Sequence, residues 1–456
     1  MLFNRWIYTL LFLLPFIDAY AQRKFDENLS LEIDSLFSQR LPAIAPGGVL
    51  LIARQGHALY HKAFGNADVS NKTLMQPDMI FRIGSMTKQF TAVAILQLVE
   101  AGKLSLQDSI QKYIKDFPSK GHTLTIEHLL TNTSGIKNYF EINNPTQQRP
   151  TYTPAQGVDY FKDEPLSFVP GSQFEYSNSN YYLLGYLIEV ITGQTYEQYL
   201  REHVLAKANL THTSYILPDS PVSPMPTAYT KVDRKLKKAR LQEVSTLYAA
   251  GGLLSSATDL LTWHQALLEG KLISRPLLKK AWASFKLNNG TDSPYGYGWY
   301  MKELDGQPTI EHSGSTDGFQ TNAVYLPQAD LYVTTLFNSY ETDMDWIVLT
   351  NDIIGQVFGR KPYTLTIPQL QAYIGTYTYK KSYQMVITLE ESKLYIRATN
   401  PKSRLPKVQL HPRSDGLFFI KEAELSFSFE RDTKENVTSM ASYYRNTKDV
   451  DWKKEK

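Results

Sequence analysis

Apolar residues recur at helical spacing over residues 25–39, where Leu29, Leu31, Ile33, Leu36 and Phe37 predict an amphipathic helix. Residues 47–65 read as a hairpin. Val49-Leu50-Leu51-Ile52-Ala53 is its first strand, Arg54-Gln55-Gly56 its turn, and residues 58–64 its return strand. The strongest helical pattern covers residues 85–101, with Phe90, Val93, Ala94, Leu98 and Val99 on one stripe and Gly102 as a stop. Further helices are predicted over 126–130 and 180–192, separated by a stretch rich in Pro, Asn, Thr and Gln that reads as long loops. Alternation returns over 321–337, where Val324, Leu326, Leu331, Val333 and Leu336 predict two core strands around the turn Pro327-Gln328-Ala329-Asp330.

Near Arg360-Lys361-Pro362 the pattern changes to short strands and turns. Residues 385–389 and 394–398 flank a Glu-Glu-Ser-Lys turn, and Leu425, Phe427 and Phe429 alternate. The expected organisation is a mixed α/β unit over residues 22–362 and a small all-β unit, of barrel type, over 363–456. Residues 1–21 read as an export signal: Arg5, a short apolar stretch over 10–17, and Ala19-Tyr20-Ala21 as cleavage site. That stretch falls short of the ~20 residues a membrane span needs, so no stable transmembrane anchor is expected. The mature protein is expected in the periplasm or medium.

Composition narrows the chemistry. Lys+Arg number 48 and Asp+Glu 45, so no electrostatic footprint for nucleic acid is present. Cysteine is absent, which excludes disulfides, a thiol nucleophile and thiolate metal sites. His57 and His61 are spaced to share a strand face, but nothing nearby completes a ligand set, so neither a metal nor another cofactor is expected. The basic run over 231–240, interrupted by Asp233, reads as a solvated loop or hairpin.

Three short motifs carry candidate chemistry. In Gly84-Ser85-Met86-Thr87-Lys88, Ser85 and Lys88 share a helix face at the helix N-terminus. A neutral lysine amine there can take or relay the serine proton, and the helix dipole favours charge on the hydroxyl oxygen. Ser109-Ile110-Gln111-Lys112 repeats the pattern on a predicted surface turn. Tyr176-Ser177-Asn178 follows a Pro-Gly turn; a phenol beside an ammonium can serve as general base, and the Asn178 amide can hold a carbonyl or orient Lys88. Tyr444-Arg445-Asn446 repeats that pattern in the β unit. In His312-Ser313-Gly314-Ser315, a strand edge can offer backbone amides to an oxyanion.

In this order the motifs resemble those of the penicillin-recognising serine hydrolases, the superfamily of class C β-lactamases, DD-peptidases and esterases. The stretches His128-Leu129-Leu130-Thr131-Asn132-Thr133-Ser134-Gly135, Ala250-Gly251-Gly252-Leu253 and Tyr295-Gly296-Tyr297-Gly298-Trp299 are similar as well, although Asn132 stands where His is common. The resemblance implies an antiparallel sheet flanked by helices, with an inserted helical lobe and a lipocalin-like C-terminal appendage. It implies Ser85 as acylated nucleophile, Lys88 and Tyr176 as proton carriers, and Asn178, His312, Ser313, Gly314 and Ser315 as substrate contacts, with the Ser85 and Ser315 amides as oxyanion hole. The expected substrates are D-amino-acid peptides, cell-wall stems among them, or small esters and amides. A class C-like β-lactamase is the alternative. It is disfavoured by His312, where β-lactamases of the family usually carry a lysine for the drug's carboxylate. A non-catalytic binding or scaffold protein of the same fold is the alternative of another class.

Overall fold

The computed structural model of the chain describes residues 25–41, 44–142, 152–215, 225–232, 235–304, 306–340, 346–359, 365–379, 383–400, 405–414, 416–420, 425–444 and 447–455. The predicted export signal and the change of character at 360–362 lie outside them.

A six-stranded antiparallel sheet forms the centre. Its spatial order is His57–Phe64, Gly48–Arg54, Leu331–Phe337, Phe319–Leu326, Gln307–Thr316, Tyr300–Leu304. Gly48–Arg54 is apolar along most of its length because both of its faces are covered. Side chains alternate across a strand. Accordingly Val49, Leu51 and Ala53 enter one core, while Leu50 and Ile52 enter a second core beneath the helices Glu27–Arg40 and Trp346–Val357. The hairpin turn works because Gln55 (φ 51°) and Gly56 (φ 77°) both adopt the left-handed conformation.

On the first face lies Thr87–Glu100, buried on nearly all sides, with Thr87, Lys88, Gln89 and Thr91 buried along with its apolar residues. It packs against Asn178–Thr192 and Val244–Gly251 of the helical lobe. Asn178–Thr192 ends at left-handed Gly193 (φ 72°). The helices Ala257–Leu268 and Trp346–Val357 carry no forecast in the sequence reading. The basic run forms the hairpin Tyr229–Val232 with Lys235–Lys238, the latter strand exposed throughout.

The C-terminal part is a closed eight-stranded barrel. It runs from Gly375–Thr378 to Thr447–Lys454, which pair to close it. The Glu-Glu-Ser-Lys turn is a tight one with Glu391 (φ 46°) and Ser392 (φ 62°) at its centre. Ile387, Ile396, Phe418, Phe427, Met440 and Trp452 fill a core of its own. The architecture is thus the expected mixed α/β fold with a C-terminal β-barrel. Among the described residues no helix is long and apolar enough to cross a membrane.

Candidate active site

Ser85 lies in a short 3-10 turn, Gly84–Met86, that leads directly into Thr87–Glu100. Gly84 is left-handed (φ 52°), and a Cβ there would stand 2.7 Å from the Ser315 amide nitrogen. Glycine therefore lets the Ser85 turn press against the strand Gln307–Thr316. The same strand reaches back at Gly314, where a Cβ would fall 1.9 Å from the Ile83 carbonyl oxygen. Thr321 Oγ1 donates to that carbonyl at 3.0 Å and fixes the contact. The glycine of the third motif is thus required by backbone approach.

Lys88 is 0 % exposed. Its Nζ lies 2.7 Å from Asn178 Oδ1, 2.7 Å from the Ala250 carbonyl oxygen and 3.1 Å from Ser85 Oγ. Burial disfavours the ammonium and pushes the Lys88 pKa well below the usual lysine range. In a neutral amine the two N–H bonds point to the two carbonyl oxygens. The lone pair then occupies the remaining direction, toward the Ser85 hydroxyl. Nζ also stands 4.8 Å from the centre of the Tyr176 ring and 5.7 Å from that of Tyr181, an arrangement that favours a cation whenever the amine gains a proton.

Tyr176 and Asn178 belong to a segment held by the loop over 131–135. Left-handed Asn132 (φ 54°), a conformation asparagine tolerates, accepts the Ser177 amide and Asn180 Nδ2 on its Oδ1 at 3.2 and 2.9 Å. Its own carbonyl accepts the Glu175 amide at 3.0 Å. Ser134 Oγ donates to Asn180 Oδ1 at 2.6 Å. Asn178 Nδ2 donates to Asn138 Oδ1 at 3.3 Å, so its amide is fixed with the oxygen toward Lys88. The Tyr176 ring stacks on Tyr300 and lies edge-on to Tyr295, at 6.3 and 6.2 Å between centroids.

His312 is only 2 % exposed and is not among the residues lining the cleft. Its Nδ1 lies 2.6 Å from the Ser313 carbonyl, which can only accept, so Nδ1 carries the hydrogen. Nε2 is then the acceptor for the Tyr295 hydroxyl at 2.9 Å. Burial above all, and then the nearby Lys88 and Lys302 amines, lower its pKa to about 3 against the opposing effect of the Ser313 carbonyl. Both ring nitrogens are committed, and a substrate would meet the strand's backbone and Ser315 there. Ser313 and Gly314 likewise act through the strand they build: Ser313 pairs with Asn322, and Gly314 with Thr321.

The cleft has a volume of about 210 Å³. Ser85, Asn178, Ala250, Gly251 and Ser315 line it beside Tyr139, Phe140, Gln242, Leu247, Thr316, Asp317 and Tyr340. The structure thus brings Ser85, Lys88, Tyr176, Asn178 and Ser315 to one place. The second Ser-x-x-Lys is a surface turn in which Lys112 Nζ pairs with Asp108 at 2.9 Å. The Tyr444 motif sits on a barrel strand, and its Arg445 and Asn446 lie outside the described residues. Sequence reasoning gave no role to the Ala250 carbonyl, to Asn138 or to Asp317. Only the Ala250-Gly251-Gly252 signal pointed toward one of them. Among the described residues no group of His, Asp and Glu is arranged to hold a metal ion.

A Ser-x-x-Lys turn packed against an antiparallel sheet, with its lysine buried, and a helical lobe carrying Tyr-x-Asn match the class of the penicillin-recognising serine hydrolases. The Beta-lactamase family model matches residues 33–353, and the chain belongs to that family. Penicillin-binding protein 4* of Bacillus subtilis (strain 168) is 27 % identical over 411 residues, covering 84 % of this chain and 89 % of that protein. The octameric penicillin-binding protein homologue from Pyrococcus abyssi superposes with a TM-score of 0.68 at 26 % identity, over 94 % of this chain and 98 % of that one. A D-stereospecific amidohydrolase from Streptomyces sp. gives a TM-score of 0.58 at 25 % identity, over 69 % and 94 % of the two chains. The chain is a serine hydrolase of this superfamily.

Proposed function

We propose that the protein hydrolyses D-amino-acid peptides or small esters and amides through an acyl-enzyme on Ser85. The observation that carries this reading is the Lys88 amine, held by two carbonyl oxygens with its third direction on Ser85 Oγ. In acylation the Ser85 proton passes to Lys88 Nζ as Oγ bonds to the substrate carbonyl carbon. The Ser85 and Ser315 amides receive the oxyanion. The ammonium so formed is stabilised by Asn178, Ala250 and the Tyr176 ring face. As the bond to the leaving group breaks, Tyr176 gives it a proton and takes the one held by the Lys88 ammonium, which returns Lys88 to the neutral amine; water then cleaves the ester by the reverse path. Export by residues 1–21 would place this reaction in the periplasm or medium, within reach of cell-wall peptides.

The similarity to a D-stereospecific amidohydrolase supports the D-amino-acid reading. The buried, neutral His312 disfavours the β-lactamase alternative, because the strand brings no cation to an anionic drug at that position. The complete set of Ser85, Lys88 and Tyr176 disfavours the scaffold reading. The test is kcat/KM for a D-Ala-D-Ala peptide, a short-chain aryl ester and a chromogenic cephalosporin. The peptide or the ester is expected to exceed the cephalosporin. Cephalosporin turnover at about 10⁶ M⁻¹s⁻¹, well within the range of efficient enzymes, would instead make the protein a β-lactamase.

A further inference from the structure

We propose that Tyr248 and Glu189 are positioning residues for acylation: their hydrogen bond holds a strained turn that presents the Ala250 carbonyl to Lys88 and so keeps the amine directed at Ser85. The inference rests on the hydrolase reading and deepens it. Neither residue is among those that line the cleft.

The backbone at Tyr248 is unusual. It stands at φ 42° and ψ −136° inside Val244–Gly251. That conformation is unfavourable for any residue with a Cβ, and most of all for a bulky aromatic one, so it persists only where the surroundings hold it. Its effect is to break the helix just before Ala249. In an unbroken helix the Ala249 and Ala250 carbonyls would bond to amides four residues further on. Here they turn to the helix Thr87–Glu100 instead. The Ala249 carbonyl accepts Thr91 Oγ1 and the Ala250 carbonyl accepts Lys88 Nζ, each at 2.7 Å. The break thus creates one of the two carbonyl acceptors that orient the amine.

The side chain of Tyr248 shows what holds the break in place. It is buried, and its hydroxyl donates to Glu189 Oε1 at 2.7 Å. The same oxygen accepts the Tyr196 amide at 2.9 Å, so the carboxylate is itself fixed. Burial, and then the Glu189 charge, push the Tyr248 pKa well above the usual phenol range, which keeps the hydroxyl a donor. Its ring packs among those of Tyr182, Tyr196 and Tyr215, with centroids 4.7, 5.2 and 6.3 Å away. The approach is close: a Cβ on Gly185 would stand 2.2 Å from Ala249 Cβ and 2.7 Å from Tyr248 Cε1. Gly185 and Glu189 lie one turn apart on Asn178–Thr192. The first residue of that helix supplies the other carbonyl to Lys88. Both acceptors are therefore set by a single helix, one directly and one through Glu189 and Tyr248.

The experiment follows labelling by a fluorophosphonate from pH 4 to 9 in the wild type, Tyr248→Phe, Glu189→Leu, the double variant and Glu189→Gln. The extent of labelling counts the sites that are formed, and the rate constant reports how well each one works. Tyr248→Phe and Glu189→Leu should each slow the rate constant by about 10- to 100-fold, and the double variant should be no slower than either alone. Glu189→Gln keeps an oxygen for both donors and should stay within about threefold of the wild type. The rate rises with pH as Lys88 sheds its proton. Tyr176, Tyr181 and His312 face Lys88; His312, with its pKa at about 3, and buried Tyr181, raised well above the phenol range, titrate outside that rise. Loss of the Ala250 acceptor weakens the ammonium more than the amine. The rise should therefore move to lower pH by about 0.5–1 pH unit in Tyr248→Phe and Glu189→Leu. A purely structural role would change the extent of labelling or the melting temperature and leave the rate constant and its pH rise in place. Should Tyr248→Phe form no sites, the ratio of Glu189→Gln to Glu189→Leu decides in the same way. A rate constant per formed site equal to that of the wild type, a rise that does not move, or single effects that multiply in the double variant overturn the inference and leave the hydrolase reading standing. Absence of labelling in the wild type overturns the hydrolase reading, and the inference with it.

Discussion

Replacing Lys88 with Met removes the amine while keeping an unbranched apolar stem in the helix. Two effects follow from its surroundings. Loss of a positioned base is worth ~10²–10⁴-fold, so acylation by a neutral aryl ester or a fluorophosphonate should slow by about that factor. Stability responds differently. The variant strands Asn178 Oδ1 and the Ala250 carbonyl, each at a cost of about 1–3 kcal/mol. It also removes a group whose charged form is penalised by complete burial, which offsets part of that loss. Because the folded-state pKa of Lys88 is depressed, the unfolded chain binds the extra proton between that value and ~10.4. Its contribution to stability is therefore unfavourable at low pH and rises with pH across that window. The slope of unfolding free energy with pH should be steeper in the wild type than in Lys88→Met. Stopped-flow acylation and urea unfolding at pH 6 to 10 measure both. Acylation within threefold of wild type, or parallel stability slopes in the two proteins, would refute the reasoning.

Tyr176→Phe keeps the ring stacking on Tyr300 but loses the hydroxyl; kcat should drop by ~10²–10⁴ with the melting temperature nearly unmoved, and near-wild-type turnover would mean another group carries the proton. His312→Gln should leave the shape of the activity profile between pH 5 and 8 unchanged, because a group with its pKa near about 3 does not titrate there; loss of an ascending limb in this variant would contradict that assignment. Gly314→Ala drives a Cβ to 1.9 Å from the Ile83 carbonyl, so the strand must retreat from the nucleophile turn. Overpacking of this kind costs about 1–3 kcal/mol, and acylation should fall by more than tenfold; a variant with wild-type acylation would show that the Ser85–Ser315 spacing is not critical.

The fold was legible where periodicity met covered surfaces. The alternation over 321–337 and the apolar run after Gly48 mark the central strands because their faces pack on two different cores. The Ser85 helix was legible because Phe90, Val93, Ala94 and Leu98 recur at helical spacing and all enter the core. The helix Trp346–Val357 was missed, although its buried Leu349, Ile353 and Ile354 sit at helical spacing against the second core. The motifs marked where Ser85, Lys88, Asn178 and Ser315 meet, since each is a short run held at the end of a helix or strand. What sequence could not place was anything set by backbone approach across the fold. The Ala250 carbonyl reaches Lys88 from 162 positions away. Asp317 reads as an ordinary Asp-Gly turn until the cleft is seen beside it. His312 has the spacing of a substrate contact, yet the strand's pleat turns its ring inward, toward Tyr295.

The central claim is that Ser85 becomes acylated, and intact-protein mass spectrometry after brief exposure to a D-alanine aryl ester or a fluorophosphonate tests it most directly. One adduct per chain is expected, mapped by peptide digestion to Ser85 and absent in Ser85→Ala. An adduct on Ser109 or another residue, or labelling of Ser85→Ala at the wild-type rate, would contradict the account.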